Sequence, residues 1–350
     1  MYSRTMMENS IEDGATVAVT KCMKVKKSDS VLIVADNPSK EIGMAIRQKA
    51  LEITDKVRFF NLDLPTYGGR PLQSMPGSLT EAIRKATVTF FVAGPAEGEL
   101  ETLRGPFLQL CVQKARHAHM VGVDTKIMKT GMCVDYEKVA VITNRLYDML
   151  LKTKEIKVTS PAGTDFTATF DTGIKWIPCS GIVDKVGEWD NLPSGEVFTA
   201  PRTLQGRLVI DGTIGDWIEM KYSGKINYQE TPLIIDVEHE IGGSFIKNMK
   251  CKHKELLDDF MTYVKSEPNA SRVGEIGLGT NIFLEEIIDN ILQDEKFPTV
   301  HVAFGDPYHE KTGATWTSDY HIDLLMRKCS IWIDGIQIMD EGKYIKEILG

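Results

Sequence analysis

No run of Lys and Arg in this chain is long enough to grip a phosphate backbone. The densest basic cluster is Lys21, Lys24, Lys26 and Lys27, and the formal net charge is −8. Affinity for nucleic acid rests on concentrated positive charge, so no nucleic-acid partner is expected. Also missing is any window near the ~18 uncharged apolar residues that cross a bilayer, so no membrane partner is expected either. The opening residues, MYSRTMMENSIEDG, hold no long apolar core and no small-residue cleavage site, and are not read as a secretory leader. Six cysteines (Cys22, Cys111, Cys133, Cys179, Cys251, Cys329) are scattered without a CxxC pair. That spacing excludes a zinc finger or a disulfide framework and fits reduced, mostly buried thiols in the cytoplasm. No GxGxxG follows a first strand, so a dinucleotide is not indicated. Ser194 sits in PSGE rather than in a GxSxG elbow, and no serine triad is suggested.

What is present is 350 residues, 42% hydrophobic and 26% charged, the balance of a globular protein too long for one ordinary core. The first part alternates strands with helices. Apolar runs at 30–34, 57–60, 87–92 and 120–123 read as strands, and 40–51, 79–85 and 109–117 read as helices. That alternation implies a parallel sheet covered by helices. A helix over 136–152 closes this part, and then the texture changes. Residues 154–170 form a hairpin around Pro161-Ala162-Gly163, and further strands are read at 207–214, 217–222, 233–239, 299–304, 321–326 and 330–333. Helices are expected over 248–264 and 281–292. The fold class is therefore α/β: an N-terminal flavodoxin-like parallel domain over 1–152 and a mixed, strand-rich α+β domain over 153–350 that carries the metal site.

The candidate chemistry lies in the second domain. His321 and Asp323 are two apart on a strand, so both side chains can point at one cation. Nitrogen plus carboxylate ligation suits zinc, cobalt or manganese, although an HxD pair alone equally fits hydrogen-bonded surface residues. His301 lies in PTVHVAF, a strand ending at Gly305, and Tyr308 follows seven residues later. Glu196 sits in a turn between two prolines, and Glu275 lies among small and apolar residues. A glutamate in such surroundings is costly to bury unless a cation pairs with it. That cation is either a metal or, for Glu275, a base such as Arg272.

Taken together, NLPSGEVFTAP, RVGEIGLG, HVAFGxxY and YHID resemble, in order, the ligand motifs of the aminopeptidase T family of two-metal aminopeptidases. The resemblance covers most of residues 150–335. It implies that Glu196, Glu275, His301, Tyr308, His321 and Asp323 hold two divalent ions (zinc, cobalt, manganese or magnesium). Six ligands suit two cations ~3.5–4 Å apart that share a carboxylate and activate a water. Glu275 is the expected bridge, and Glu275 and Tyr308 are the residues expected to act in catalysis. The resemblance further implies a homodimer and a small peptide or amide substrate, its N-terminus held in a cleft between the domains. The general base stays unassigned, with His309 and Glu310 as candidates set against a plain loop-surface role.

Flanking stretches, SPAGTDF, EWD and HID through MRKC, look like the related 2,5-dihydroxypyridine dioxygenases, which share the fold and use one non-heme iron. Their pattern has His at the place of Glu275 and an apolar residue at the place of Glu196. The equivalent trio here is Glu275, His321 and Asp323, one His with two carboxylates, whereas iron(II) oxygenases favour two His and one carboxylate. The ligands thus weigh toward the hydrolase, with one Fe(II) as the alternative cofactor. Elsewhere, His117 and His119 stand two apart as a weaker metal pair, set against a surface or subunit-contact role. His239 and His253 read as structural. Trp316 is the tryptophan expected near substrate.

Overall fold

The structure, a computed structural model, describes residues 9–349. Most of the stretch read for a secretory leader lies outside them. The chain divides into two compact units, Met1–Lys138 with Gly181–Ser194, and Val139–Ser180 with Gly195–Gly350. A single boundary near residue 152 does not describe this division. The crossing falls inside the helix Tyr136–Leu150, and a later segment returns to the first unit.

In the first unit five parallel strands run in the spatial order Val57–Asn61, Val31–Ala35, Val88–Phe91, Arg116–His119, Trp189–Asn191. This 2-1-3-4-5 order is the flavodoxin-like arrangement. Val31–Ala35 and Val88–Phe91 are buried at every position, as central parallel strands covered on both faces must be. The helix Gly77–Lys85 buries Leu79, Ala82 and Ile83, spaced three and four apart, beside Leu32, Val34 and Phe91 in one core cluster. The fourth strand differs from expectation. Pro106 starts a helix at Gly105–Cys111, which stops early, and Arg116–His119 supplies the strand in place of 120–123. Its sequence, RHAH, hides the strand because its polar side chains are buried in pairs. The Arg116 guanidinium lies 2.6 Å from Asp29 Oδ2 and donates to Met23 O at 2.5 Å.

The second unit holds two antiparallel sheets. The eight-stranded one runs Gly243–Lys250, Leu233–Glu240, Thr203–Ile210, Asp165–Thr169, Glu155–Thr159, Ser330–Ile333, Ile336–Asp340, Lys343–Tyr344. The five-stranded one runs His321–Met326, Val300–Gly305, Val273–Gly279, Glu196–Thr199, Ile177–Cys179. Their apolar side chains join in one core. Val158, Phe166, Leu208 and Ile235 come from the first sheet, and Ile276, Leu278, Val302, Phe304 and Leu324 from the second.

Three sequence expectations fail here. Residues 217–222 belong to a helix, Asp216–Tyr222, whose buried Ile218 and Tyr222 stand four apart. Residues 248–250 end the strand Gly243–Lys250, and the helix begins only at Lys254, where His253 Nδ1 accepts from Leu256 N at 3.1 Å. Within 281–292 only Ile291–Asp294 turns helical. The amides of Ile288 and Asn290 donate to the Asp294 carboxylate at 2.9 and 3.1 Å instead of to helix carbonyls. All six cysteines are free. Among the described residues no helix is long and apolar enough to cross a membrane.

Candidate metal centre

The five-stranded sheet has two chemically opposite faces. Ile276, Leu278, Val300, Val302 and Phe304 enter the core, so the alternate residues Glu275, Gly277, Gly279 and His301, Ala303, Gly305 share the other face. The register then sets each donor against a small residue. Glu275 and Asp323 both pair with Ala303, His301 with Gly277, His321 with Gly305, and Glu196 with Gly279. Directly opposed side chains on a sheet start only ~4.5–5.5 Å apart, so a bulky neighbour would fill the space that the donors need. Gly277 shows how tight this is. A Cβ there would stand 2.1 Å from both Cε1 and Nε2 of His301.

The donors converge on this face. His301 Nε2 lies 3.1 Å from Glu275 Oε1 and 3.5 Å from Glu196 Oε2. His321 Nε2 lies 3.4 Å from Asp323 Oδ1, while its Nδ1 is 2.8 Å from the carbonyl oxygen of Asp306. That second contact fixes the proton on Nδ1 and leaves Nε2 as the nitrogen for ligation. Ligand atoms of Glu196, Glu275 and His301 all lie within 4.8 Å of one another, as do those of Glu295, His301 and Asp323. Tyr308, held at a φ of +48°, packs its ring on His321 (centroids 4.7 Å apart) and on Phe198 (5.6 Å). Five of the six expected residues therefore share one sheet face, with the sixth against His321.

Two residues of the cluster escape sequence reasoning. Lys296 is fully buried, and its ammonium donates to Glu196 Oε1 at 2.6 Å and to Glu295 Oε1. The run Gln293-Asp294-Glu295-Lys296 is wholly polar, yet all four are buried. The one available signal was a charged pair just upstream of the His301 strand. The expected alternative for Glu275, a bridge to Arg272, does not form. Arg272 instead lies over the Trp316 ring, 3.6 Å from its centroid.

Donor chemistry and electrostatics fit a divalent cation. Glu196 Oε2, Glu275 Oε2, Asp323 Oδ1 and His301 Nδ1 are buried without a hydrogen-bond partner. A buried polar atom is costly unless something pairs with it. Burial alone would lower both imidazoles, but the carboxylates outweigh it. Glu275, Glu196 and Asp323 raise His301 to about 9, and Asp323 with Glu275 raises His321 to about 10. Burial raises the Glu275 and Glu295 carboxyls and, with the surrounding carboxylates, pushes the Tyr308 hydroxyl well up. The cluster thus favours positive charge on both imidazoles and a proton on the Glu275 and Glu295 carboxyls, as excess carboxylate in a buried site requires.

Other candidates separate from this cluster. His309 and Glu310 are exposed on the short helix His309–Thr312. His117, in the first unit, is buried rather than on the surface, with Nδ1 2.9 Å from Thr89 Oγ1 and Nε2 3.1 Å from His119 Nδ1. His253 is the helix cap described above, and His239 contacts Ser244 at 3.3 Å.

A flavodoxin-like unit joined to an antiparallel unit that carries a buried cluster of His and carboxylate side chains, able to ligate a divalent cation, defines an α/β enzyme class. Within that class the particular family can be assigned. The sequence profile of the 2,5-dihydroxypyridine 5,6-dioxygenase family, NicX, matches residues 112–346, and the chain belongs to it. It is 26% identical over 210 residues to the 2,5-dihydroxypyridine 5,6-dioxygenase of Pseudomonas putida. That alignment covers 56% of this chain and spans about half of the relative, 56% of its length. The fold is similar to the solved structure of 2,5-dihydroxypyridine dioxygenase from Pseudomonas putida (TM-score 0.70, 21% identity, 96% of this chain and 98% of that one). It is also similar to AmpT from Thermus thermophilus (TM-score 0.68, 16% identity, the same coverage). Of the two resemblances in the sequence, family membership thus favours the dioxygenase branch over the weighting that the ligands suggested.

Proposed function

We propose that the chain is a single-metal, ring-cleaving dioxygenase acting on a hydroxylated nitrogen heterocycle. The observation that carries this reading is the place of His301. Sequence comparison with the dioxygenase pattern offered one His and two carboxylates, but His301 also has a ligand atom within 4.8 Å of Asp323, the carboxylate that His321 contacts at 3.4 Å. Two imidazoles and Asp323 then make the two-His, one-carboxylate set of iron(II) oxygenases, with Glu275 as a further donor. When bound, an iron(II) ion supplies the redox chemistry by which dioxygen is added to an aromatic ring.

The chain's own residues do the rest. Hydrogen bonding from His321 to Asp306 O orients one imidazole, and the tight seat over Gly277 orients the other. The mutually tilted rings of Phe198, Tyr308 and His321 offer an aromatic lining against which a planar heterocycle can pack. The raised Glu275 carboxyl is suited to holding a proton beside that lining.

A second reading, a two-metal aminopeptidase acting on small peptides or amides, is favoured by one observation. The carboxylates of Glu196 and Glu275 both face the cluster. The test is direct. The full chain, loaded anaerobically with Fe(II), is given 2,5-dihydroxypyridine in an oxygen electrode. In parallel, zinc-, cobalt- and manganese-loaded samples are given aminoacyl p-nitroanilides. Substrate-dependent oxygen uptake without p-nitroaniline release is expected; the reverse outcome overturns the reading in favour of the hydrolase. A cytoplasmic homodimer accompanies either reading.

A further inference from the structure

We propose that Lys296 holds the position of a second cation, so that the centre takes one metal ion although its ligand list suits two. This rests on the metal centre of the preceding reading, but not on the reaction assigned to it.

The argument begins with the cost of burying an ammonium. Lys296 is fully buried, and an effective penalty of several kcal/mol per buried ion persists unless good geometry offsets it. Here two carboxylates provide that geometry. The ammonium donates to Glu196 Oε1 at 2.6 Å and to Glu295 Oε1. Glu196 is a ligand in the two-metal pattern, yet one of its oxygens is committed to the ammonium. Its other oxygen lies 3.5 Å from His301 Nε2.

The formal charge count leaves the choice to geometry. Four carboxylates with the ammonium leave −1 beside one dication and +1 beside two, so the Glu196 oxygen committed to Lys296, not the count, is what withholds a ligand from a second ion. A fixed ammonium also differs from a metal in what it can do. It neutralises Glu196 and Glu295 and donates hydrogen bonds, but it cannot lower the pKa of a water or accept a substrate amine into a coordination sphere. Lys296 is therefore a positioning residue that makes the site mononuclear.

The experiment is metal stoichiometry, read without activity. The apo full-length chain is dialysed to equilibrium against Zn²⁺ alone, and separately against Co²⁺ alone, and bound metal per folded chain is measured. Wild type is expected to bind one ion. Lys296→Met is expected to bind two, because Glu196 and Glu295 are released to a second ion, and its melting temperature is expected to rise more steeply with added Zn²⁺ than that of wild type. The double variant Glu196→Gln with Lys296→Met is expected to return to one ion. Two ions on wild type, or one ion on a folded Lys296→Met chain, would overturn the proposal. Should Lys296→Met not fold even with metal added, the wild-type count and a folded Lys296→Arg variant, which keeps the charge and is expected to bind one ion, decide it. No metal on wild type sinks the metal centre itself, a failure distinct from that of the lysine.

Discussion

Substituting Gly277 by Ala tests the sheet-face geometry with a single carbon. The new Cβ would stand 2.1 Å from Cε1 and Nε2 of His301, and ordinary contact begins at 3.4 Å. The imidazole must therefore retreat by roughly 1.3 Å or the backbone must move. Backbone movement is resisted because the Gly277 strand is paired on both sides, with Phe198 on one neighbour and His301 on the other. Inserting a group into so full a space costs about 1–3 kcal/mol of stability. Reduced freedom of the unfolded chain returns about 0.4–1 kcal/mol of that. The larger effect falls on metal. Misorienting a ligand typically costs about 10–100-fold in affinity, and a 1 Å misplacement of a reacting group can cost about 10²-fold in rate. The assay is the dissociation constant for Zn²⁺, followed alongside thermal unfolding. Gly77→Ala, which meets nothing within 4 Å, is the control. A Gly277→Ala protein that loses stability but keeps wild-type affinity would remove His301 from the ligand set. One that changes neither quantity would refute the packing argument altogether.

Two further outcomes follow from the first unit. Burial pushes His117 down to about 3, so between pH 6.5 and 3 the folded chain binds fewer protons at this site than the unfolded chain does. Its share of stability is complete above pH 6.5 and is lost as pH falls, by about 1.4 kcal/mol per pH unit. Urea midpoints measured from pH 7 to 5 should therefore fall more steeply for wild type than for His117→Gln, and parallel slopes would contradict this. Arg70 lies 2.6 Å from Asp36 Oδ2 and 2.5 Å from Glu99 Oε2, with Glu99 wholly buried. Arg70→Leu strands both carboxylates and is expected to cost about 3–5 kcal/mol; a melting temperature within a degree of wild type would show that they find other partners.

How much of this was legible depends on whether a residue's environment is written in its near neighbours. The sequence EIGLG over 275–279 and the sequence HVAFG over 301–305 show period two, with donor or small residues on one face and apolar residues on the other. That alternation is local, and it gave the strand at 299–304; the strand Val273–Gly279 carries the same alternation but its glycines hide it, and Glu196, expected in a turn, begins the strand Glu196–Thr199. Side chains whose partners lie far along the chain were not legible. Arg116 and His117 look solvated until Asp29 and Thr89 are brought beside them. The strand Trp189–Asn191 is three residues long and is a strand only because the Arg116–His119 edge lies open to it. In 217–222, helical spacing of Ile218 and Tyr222 lost to the look of a short apolar run, and the helix was missed.

Lys296 carries the same lesson into chemistry. A list of ligands records which side chains can hold a cation, but not how many cations the surrounding charge admits. Glu196, Glu275, His301, Tyr308, His321 and Asp323 read alike whether the pocket is empty of other cations or already contains one. What distinguishes the cases is a residue outside the list, one hundred positions beyond Glu196 and pressed against its carboxylate. Of two proteins with the same six residues, one with a lysine here and one with a neutral side chain, only the second leaves both oxygens of Glu196 to metal. On the proposal made above, metal number is then set by an ion pair that no motif contains.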